Sequence, residues 1–493
     1  MRVLMLYPAF PDTFWSFKHA LRFVRKSASS PPLGLVTVAA LLPSAWEKRL
    51  IDLNVATLRD RDIAWADMVM ISAMIVQRES ARALIDRCKR AGKTIVAGGP
   101  LFLSEYEKFP QVDHFILNEG EITLPLFLSD LARGCPQPLY RTEAFADMTM
   151  SPTPLWELVD FRKYESLCIQ YSRGCPFQCD FCNITAMLGR KPRTKTAQQI
   201  VAELDKIYAL GWRRNVFFVD DNFICNKRQL KQEILPAMIE WRKGKSGCNY
   251  LTEASINLAD DEELMSLMVA AGFNSVFVGI ETPDKASLTE CKKAQNVDRD
   301  LVQSVRTMQR HGLQVMGGFI VGFDSDTETI FDRQIEFIQK SGVVTAMVGM
   351  LQAVPGTPLF ARLLAEGRIS HDMSGDNADG TTNIIPAMGL DHLKQGYNRL
   401  MAEIYSPARF YERVKVCLRN YNPPRVQVRL HAAELYAFVR SIWKLGTLGE
   451  ERREYWKLFF WTLFRRPRYL SLAITFAIYG FHFRTVNALN GIR

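Results

Sequence analysis

The residues best equipped for chemistry lie between Tyr171 and Cys182, in the run Tyr-Ser-Arg-Gly-Cys-Pro-Phe-Gln-Cys-Asp-Phe-Cys. Cys175, Cys179 and Cys182 have the spacing C-x3-C-x2-C, just past an apolar run at 167–170 that reads as a strand. Gly174 and Pro176 mark a loop, which suits a backbone that must wrap around something. Iron–sulfur clusters are held by closely spaced Cys thiolates, usually four of them. Three thiolates on a four-iron cluster would leave one iron open to a ligand that reacts. The competing reading is structural zinc, whose cysteine pairs are completed by a second Cys or His pair. Cys168 is the only extra thiol close by in sequence, and no nearby histidine completes a set.

The chain that must position this loop has 493 residues, more than one ordinary core holds, so about two or three domains are expected. Apolar content of 48% with 23% charged residues is that of a globular protein. Ten cysteines, scattered apart from the central trio, argue against a disulfide framework and for a reducing cytoplasm. Residues 1–7 are a short apolar run ended by Pro8 and read as a first strand, not a signal peptide. The net charge of +10 is concentrated at the end: residues 405–493 carry 16 Lys/Arg against 5 Asp/Glu. Such a surface suits nucleic acid or anionic lipid, and no nucleic-acid reader fold is recognisable.

Residues 1–145 alternate strands (3–6, 48–53, 68–72, 94–98, 114–117) with helices (35–42, 78–91, 123–132), the pattern of βαβ units in a doubly wound parallel sheet. Such sheets bind ligands at the carboxyl ends of their strands. Asp52, Ser72, Gly98, Gly99, Glu119, Gly120 and Glu121 fall there, as ligand contacts or as ordinary turn residues. No G-x-G-x-x-G occurs, so a dinucleotide is not indicated. Arg133-Gly134-Cys135-Pro136 copies the start of the cysteine loop without its other thiols and reads as a plain loop. Residues 146–164, with Pro152 and Pro154, read as a linker between domains. Alternation resumes over 165–365, with strands at 166–170, 216–219, 251–256, 275–279, 315–321 and 346–351. Residues 366–493 form a helical, basic C-terminal domain, in which 390–405, 407–420 and 426–443 have helical periodicity.

A C-x3-C-x2-C loop after the first of six strand–helix units resembles the radical S-adenosylmethionine (SAM) superfamily. Longer strings are more specific. They include Gly189-Arg190-Lys191-Pro192-Arg193-Thr194-Lys195-Thr196, Phe218-Val219-Asp220-Asp221-Asn222-Phe223 and Phe277-Val278-Gly279-Ile280-Glu281-Thr282-Pro283. With Asn383-Ile384-Ile385-Pro386-Ala387-Met388 they resemble, over nearly the full length, the cobalamin-binding radical SAM proteins that include the hopanoid C-methylases. The resemblance implies an N-terminal Rossmann-like cobalamin-binding domain and a partial (β/α)6 TIM-type barrel. On it, a 4Fe-4S cluster would sit on Cys175, Cys179 and Cys182, with the open iron binding the amino and carboxylate groups of SAM. Asp220, Asp221 and Asn222 would lie toward the SAM amino group, and Glu253 and Ser255 toward the ribose. Gly279, Glu281, Gly318 and Gly322 would pass along the adenine and methionine parts. The domain's only histidines are His19 and His114 and there is no D-x-H-x-x-G, so cobalt would be bound without a protein histidine on its lower face. Asn183 departs from relatives of the C-2 methylase type, which often carry an acidic residue there.

The implied reaction is methyl transfer to an unactivated carbon: a deoxyadenosyl radical abstracts hydrogen, and methylcobalamin delivers the methyl group. The implied substrate is a hydrophobic, polycyclic lipid, and the implied electron donor a flavodoxin or ferredoxin. Two alternatives stand beside it: a radical SAM enzyme that cyclises, couples or oxidises, and a non-catalytic iron–sulfur or cobalamin sensor. The aromatic, basic stretch 455–468 and the apolar run 469–483 are too short to span a bilayer, which needs ~20 apolar residues. They fit an interfacial segment on the inner membrane face, or helices packed on the barrel with solvated charges.

Overall fold

The computed structural model describes residues 1–423 and 432–492. Its first sheet is built from β1 (Arg2–Tyr7), β2 (Glu47–Asp52), β3 (Met68–Ser72), β4 (Thr94–Gly98), β5 (His114–Ile116) and β6 (Leu139–Tyr140), all parallel, in the order β2-β1-β3-β4-β5-β6. The strand order reverses between β1 and β3, which in a doubly wound sheet opens a crevice at the carboxyl ends. Continuous apolar strands such as Met68–Ile71, fully buried, are what a sheet covered on both faces requires. The strand β6 is absent from the sequence-based expectation because two residues behind Pro138 carry no periodicity.

The second sheet begins with β7 (Ser166–Ile169). A short antiparallel pair follows, β8 (Ser172–Arg173) with β9 (Arg193–Thr194). The sheet then continues through β10 (Asn215–Phe218), β11 (Tyr250–Ala254), β12 (Phe273–Glu281), β13 (Gln314–Val321) and β14 (Ala346–Met350). Its spatial order follows the chain, β7-β10-β11-β12-β13-β14, and every pairing is parallel. The helices between the strands bury one stripe each, as Leu264, Met265, Met268 and Ala271 do on the helix Glu262–Ala271. The result is an open six-unit barrel with β7 and β14 as its edges.

An exposed edge strand is a template for unwanted pairing, and the C-terminal helices cover β14. From the helices Leu390–Tyr405 and Pro407–Asn420, Tyr405 donates to Ala346 O at 2.7 Å, Tyr397 to Val348 O at 3.1 Å, and the buried Arg413 to Ile404 O at 2.7 Å. The apolar run 469–483 belongs to the helix Leu470–Leu489, whose Ala473, Phe476, Ala477, Gly480, Phe483 and Val486 are buried. It is apolar because it packs inside the protein, which corrects its reading as a segment lying on a bilayer. Phe14, from the connection after β1, stacks on Phe483 at 4.2 Å and its carbonyl meets His482 Nε2 at 3.0 Å. Among the described residues no helix is long and apolar enough to cross a membrane. The expected helix 426–443 lies partly outside the described residues; its remainder is the helix Ala432–Ser441 and the π turn Ile442–Thr447.

Candidate active site

The cysteine loop leaves the barrel after β7 and is pinned by its own short ladder, β8 with β9. Gly174 has φ +94°, and a Cβ there would meet the carbonyl oxygens of Gly189 and Lys191 at 3.0 Å. Only glycine allows the following strand to close over Cys175 at this angle. Asp220, just past β10, is wholly buried and accepts from Tyr171 N at 3.2 Å, from Ser172 Oγ at 2.6 Å and from Ser172 N. Its carboxylate therefore anchors the base of the cysteine loop. Burial pushes it up to about 7, against those donors.

The loop is also fastened to the first sheet. Arg173, two residues before Cys175, donates to Glu121 at 2.8 and 2.9 Å and to Glu119 at 3.0 Å, with Gln170 at 2.9 Å. Arg193 on β9 donates to Glu119 at 2.7 and 2.8 Å and to Ala146 O at 2.5 Å. The ion-paired side chains are between 4% and 16% exposed. Glu119 and Glu121 were expected to face a ligand of the first domain. They instead spend their carboxylates on the cysteine loop, joining the two parallel sheets through a buried clamp.

Asp221 and Glu253 are placed differently. Asp221, in the turn that follows, makes no ion pair among the described residues. Glu253 on β11 is half-buried and makes no ion pair among the described residues. Burial lifts Asp221 to about 6, against its own backbone N–H and then Arg173; burial and then the charges of Asp221 and Asp220 lift Glu253 to about 8. Such an uncompensated acidic wall suits a cationic ligand, since opposite charge offsets the desolvation. Asn222 is buried, its Oδ1 accepting from Ser255 N at 3.2 Å, and Ser255 Oγ donates to Asn257 at 2.6 Å.

The thiols of Cys175, Cys179 and Cys182 are half-buried. Burial raises all three, Cys182 to about 12. Among the described residues no three His, Cys, Asp or Glu side chains converge as ligands of a single ion. Three thiols in one loop are the donor set of a larger sulfide cluster, and a buried cation stands beside them. Lys293 donates to Glu281 at 2.6 Å and acts electrostatically to lower each of the three thiols. Glu281 reaches it from a β-bulge in β12, with φ +64°. Glu281 is thus held by Lys293, and Gly279 lies beneath the pair, where a Cβ would strike both side chains. Gly318 gives room to Phe277, 2.8 Å from where its Cβ would be, and Gly322 to Leu393 at 2.9 Å.

By register, Glu253, Phe277 and Met316 share one level of the inner sheet face, and Gly279, Gly318 and Met347 the level above. Trp15, reaching over from the first domain, packs edge-on to Phe277 at 5.4 Å and points its indole N–H at Met347 Sδ, 2.9 Å away. An apolar wall therefore adjoins the acidic one.

At the other strand ends, Asp52 is buried, accepting from Asn54 N at 2.8 Å and from Tyr164 Oη at 2.9 Å, and so ties the segment before β7 to β2. A Cβ at Gly98 would strike Ile116 O, and one at Gly99 would lie 2.6 Å from Ser72 Oγ. Gly120 opens the helix Gly120–Ala132. His114 Nδ1 is 2.7 Å from Gln137 O, and His19 pairs with Asp12 at 3.2 Å. Asn183 donates to Met187 Sδ at 3.1 Å. Sequence reasoning missed Arg173, Lys293 and Trp15 as site residues. Arg173 and Arg193 stand in motif strings, a usable signal; Lys293 stands in none.

Residues 169–338 match the radical SAM superfamily, and residues 357–490 match a domain of unknown function, DUF4070. The chain is 40% identical to an uncharacterised methyltransferase of Synechocystis, over 98% of this chain and 91% of that protein. It is 34% identical to the hopanoid C-2 methylase of Rhodopseudomonas palustris, over 92% and 88%. Among solved structures, the cobalamin-dependent SAM radical enzyme OxsB shares the fold at TM-score 0.64 and 14% identity, covering 99% of this chain and 79% of that one. The radical SAM methyltransferase TsrM of Kitasatospora setae does so at TM-score 0.57 and 17% identity, covering 74% and 76%. With its three-thiol loop at the mouth of a six-unit barrel, the chain belongs to the radical SAM enzymes, in the group that holds the hopanoid C-methylases.

Proposed function

We propose that the protein is a cobalamin-dependent radical SAM C-methyltransferase that methylates an unactivated carbon of a polycyclic, hopanoid-like lipid. The observation that carries this reading is the buried Arg173/Arg193–Glu119/Glu121 clamp. It fixes the cysteine loop against the ligand-binding strand ends of a second α/β domain, so that a radical source and a methyl source face one space. Cys175, Cys179 and Cys182 hold the 4Fe-4S cluster, and Lys293 offsets the negative charge that three thiolates bring. Asp221 and Glu253 meet the cationic SAM, while Asp220 and Asn222 hold the loops that shape its site. Trp15, Phe277, Met316 and Met347 give the lipid an apolar wall and keep water from the reacting carbon. When bound, SAM on the cluster supplies a carbon radical and cobalamin supplies the methyl group; a low-potential flavodoxin or ferredoxin supplies electrons. Support for cobalamin comes from the fold shared with OxsB and TsrM, both solved with it. Support for the lipid comes from the C-2 methylase relative. The reading extends to a cytoplasmic enzyme in peripheral contact with the inner membrane face through its C-terminal domain, for which a membrane-held substrate is the support.

The test is deletion of the gene followed by mass spectrometry of lipid extracts. The expected result is loss of a species and gain of its counterpart lighter by one methylene. A difference other than a methylene would overturn methylation. Protein purified anaerobically from a cobalamin-supplied host should carry cobalamin, and its absence would favour radical chemistry of another outcome.

A further inference from the structure

The C-terminal helices carry an apolar surface that the interior does not use. Leu435, Val439 and Trp443 recur every fourth residue along the helix Ala432–Ser441 and the π turn that continues it, and all are exposed, Trp443 by 63%. On the next helix, Arg452–Arg465, Phe460 and Phe464 keep the same rhythm with rings 6.3 Å apart, and Phe464 is 79% exposed. The two helices touch where Phe438 stacks on Phe459 at 6.2 Å, and Leu448 in the turn between them is 66% exposed. Contiguous exposed apolar surface of this kind marks an interaction site.

Its charge selects the partner. Arg453 lies seven residues before Phe460, on the same helix face, and Arg465 and Arg468 follow Phe464. These exposed arginines form no ion pair among the described residues. The described carboxylates of this region are largely committed, Glu451 to Arg484 and Glu454 to Lys457, leaving Glu450. Aromatic rows edged by arginines are the pattern of a surface that sinks its apolar face ~5–10 Å into a bilayer and sets its cations among the phosphates. A second copy of the chain fits poorly, because a two-fold contact would bring the same arginines together. We propose that this two-helix surface docks the protein on an anionic bilayer. The proposal deepens the lipid-substrate reading and rests on it for its purpose, but not for its geometry.

The full-length protein, purified anaerobically, is centrifuged with sucrose-loaded vesicles of phosphatidylcholine alone or mixed with phosphatidylglycerol. Binding is expected to the mixed vesicles and to fall in high salt. Each of Arg453→Gln and Arg465→Gln should weaken it about fivefold, the effect of roughly one kcal/mol per basic residue near an anionic surface. The variant W443S/F464S should abolish it while keeping the wild-type circular dichroism. As a readout independent of that variant, brominated phosphatidylglycerol should quench tryptophan emission, less so in Trp443→Phe. Equal binding to both vesicles, or to neither, would overturn the proposal. So would a concentration-dependent dimer that W443S/F464S dissolves, which assigns the surface to a second copy. Vesicle binding with no methylated lipid in any assay would count against the proposed function and leave the docking surface standing.

Discussion

Replacing Arg173 with methionine tests whether the clamp holds the cysteine loop in place. The change deletes both bonds to Glu121, the 3.0 Å bond to Glu119 and the 2.9 Å bond to Gln170. Glu119 keeps Arg193, but Glu121 is left in a buried site, 6% exposed, without a cation. Burial alone would lift Glu121, and Arg173 holds it below the ordinary glutamate value. Removing one partner of a buried pair costs about 3–5 kcal/mol, whereas replacing both by apolar groups is often near neutral. The chain has two sheets and a helical segment, so a single global unfolding midpoint is a poor readout. Amide exchange at Ser172, Arg173, Arg193 and Thr194, the β8–β9 pair, reports the local opening instead. Its rate should rise by about a hundredfold in Arg173→Met, the effect of roughly 3 kcal/mol. The variant R173M/E121L should recover most of that. Because the folded Glu121 is depressed, the clamp stabilises fully above the ordinary glutamate value and loses that contribution as pH falls through the folded one; Arg173→Met should erase this acid dependence. A change in exchange below about fivefold, or a double variant as labile as the sum of its parts, would refute the reasoning.

Three further outcomes follow from the site. Cys179→Ala should lose the cluster's visible absorption after anaerobic reconstitution and cleave no SAM under strong reduction; retained cleavage would contradict the three-thiol assignment. Glu253 is protonated below about 8 and Asp221 below about 6, so the acidic wall gains charge as pH rises through that range. SAM binding measured calorimetrically should therefore tighten from pH 6 to pH 8, and Glu253→Gln should flatten the upper part of the profile. Lys293→Met removes the cation beside the thiols and leaves Glu281 unpaired. The cluster's reduction potential, followed by electron paramagnetic resonance, should become more negative, and K293M/E281Q should restore part of the shift.

The barrel is legible in the sequence because its strands are apolar runs, several closed by Gly, Asp or Glu, that alternate with helical stripes. The observed bounds differ from the expected ones by a residue or two, as in β10, read at 216–219 and found at Asn215–Phe218. What escapes is whatever depends on encounter across the fold. Arg173 meets Glu121 across 52 positions, and Trp15 meets Met347 across 332. The apolar run 469–483 shows a second limit. A helix apolar all round is what a bilayer and a crowded interior both select, and periodicity has no term that separates them. The aromatic, basic stretch 455–468 is legible as a candidate interfacial segment, but only the fold shows which of its residues are left uncovered.

The adjacent carboxylates Asp220 and Asp221 show how a motif can be right about place while leaving roles open. As a sequence they are two equivalent acids at a strand end. The fold makes them unequal, because Asp220 alone meets the donors at the base of the cysteine loop. The side facing Tyr171 and Ser172 offers two backbone N–H groups and a hydroxyl, enough to hold a fully buried carboxylate. Asp221 instead lies within the charge of Glu253 and of Arg173, and Arg173 is already engaged by Glu119 and Glu121. A buried carboxylate with donors is a structural element, and a half-buried one without them is a site in want of a ligand. The same division separates Glu281, satisfied by Lys293, from Glu253, satisfied by nothing on its own chain among the described residues. In this barrel, unmet charge marks the ligand's place more sharply than motif membership does.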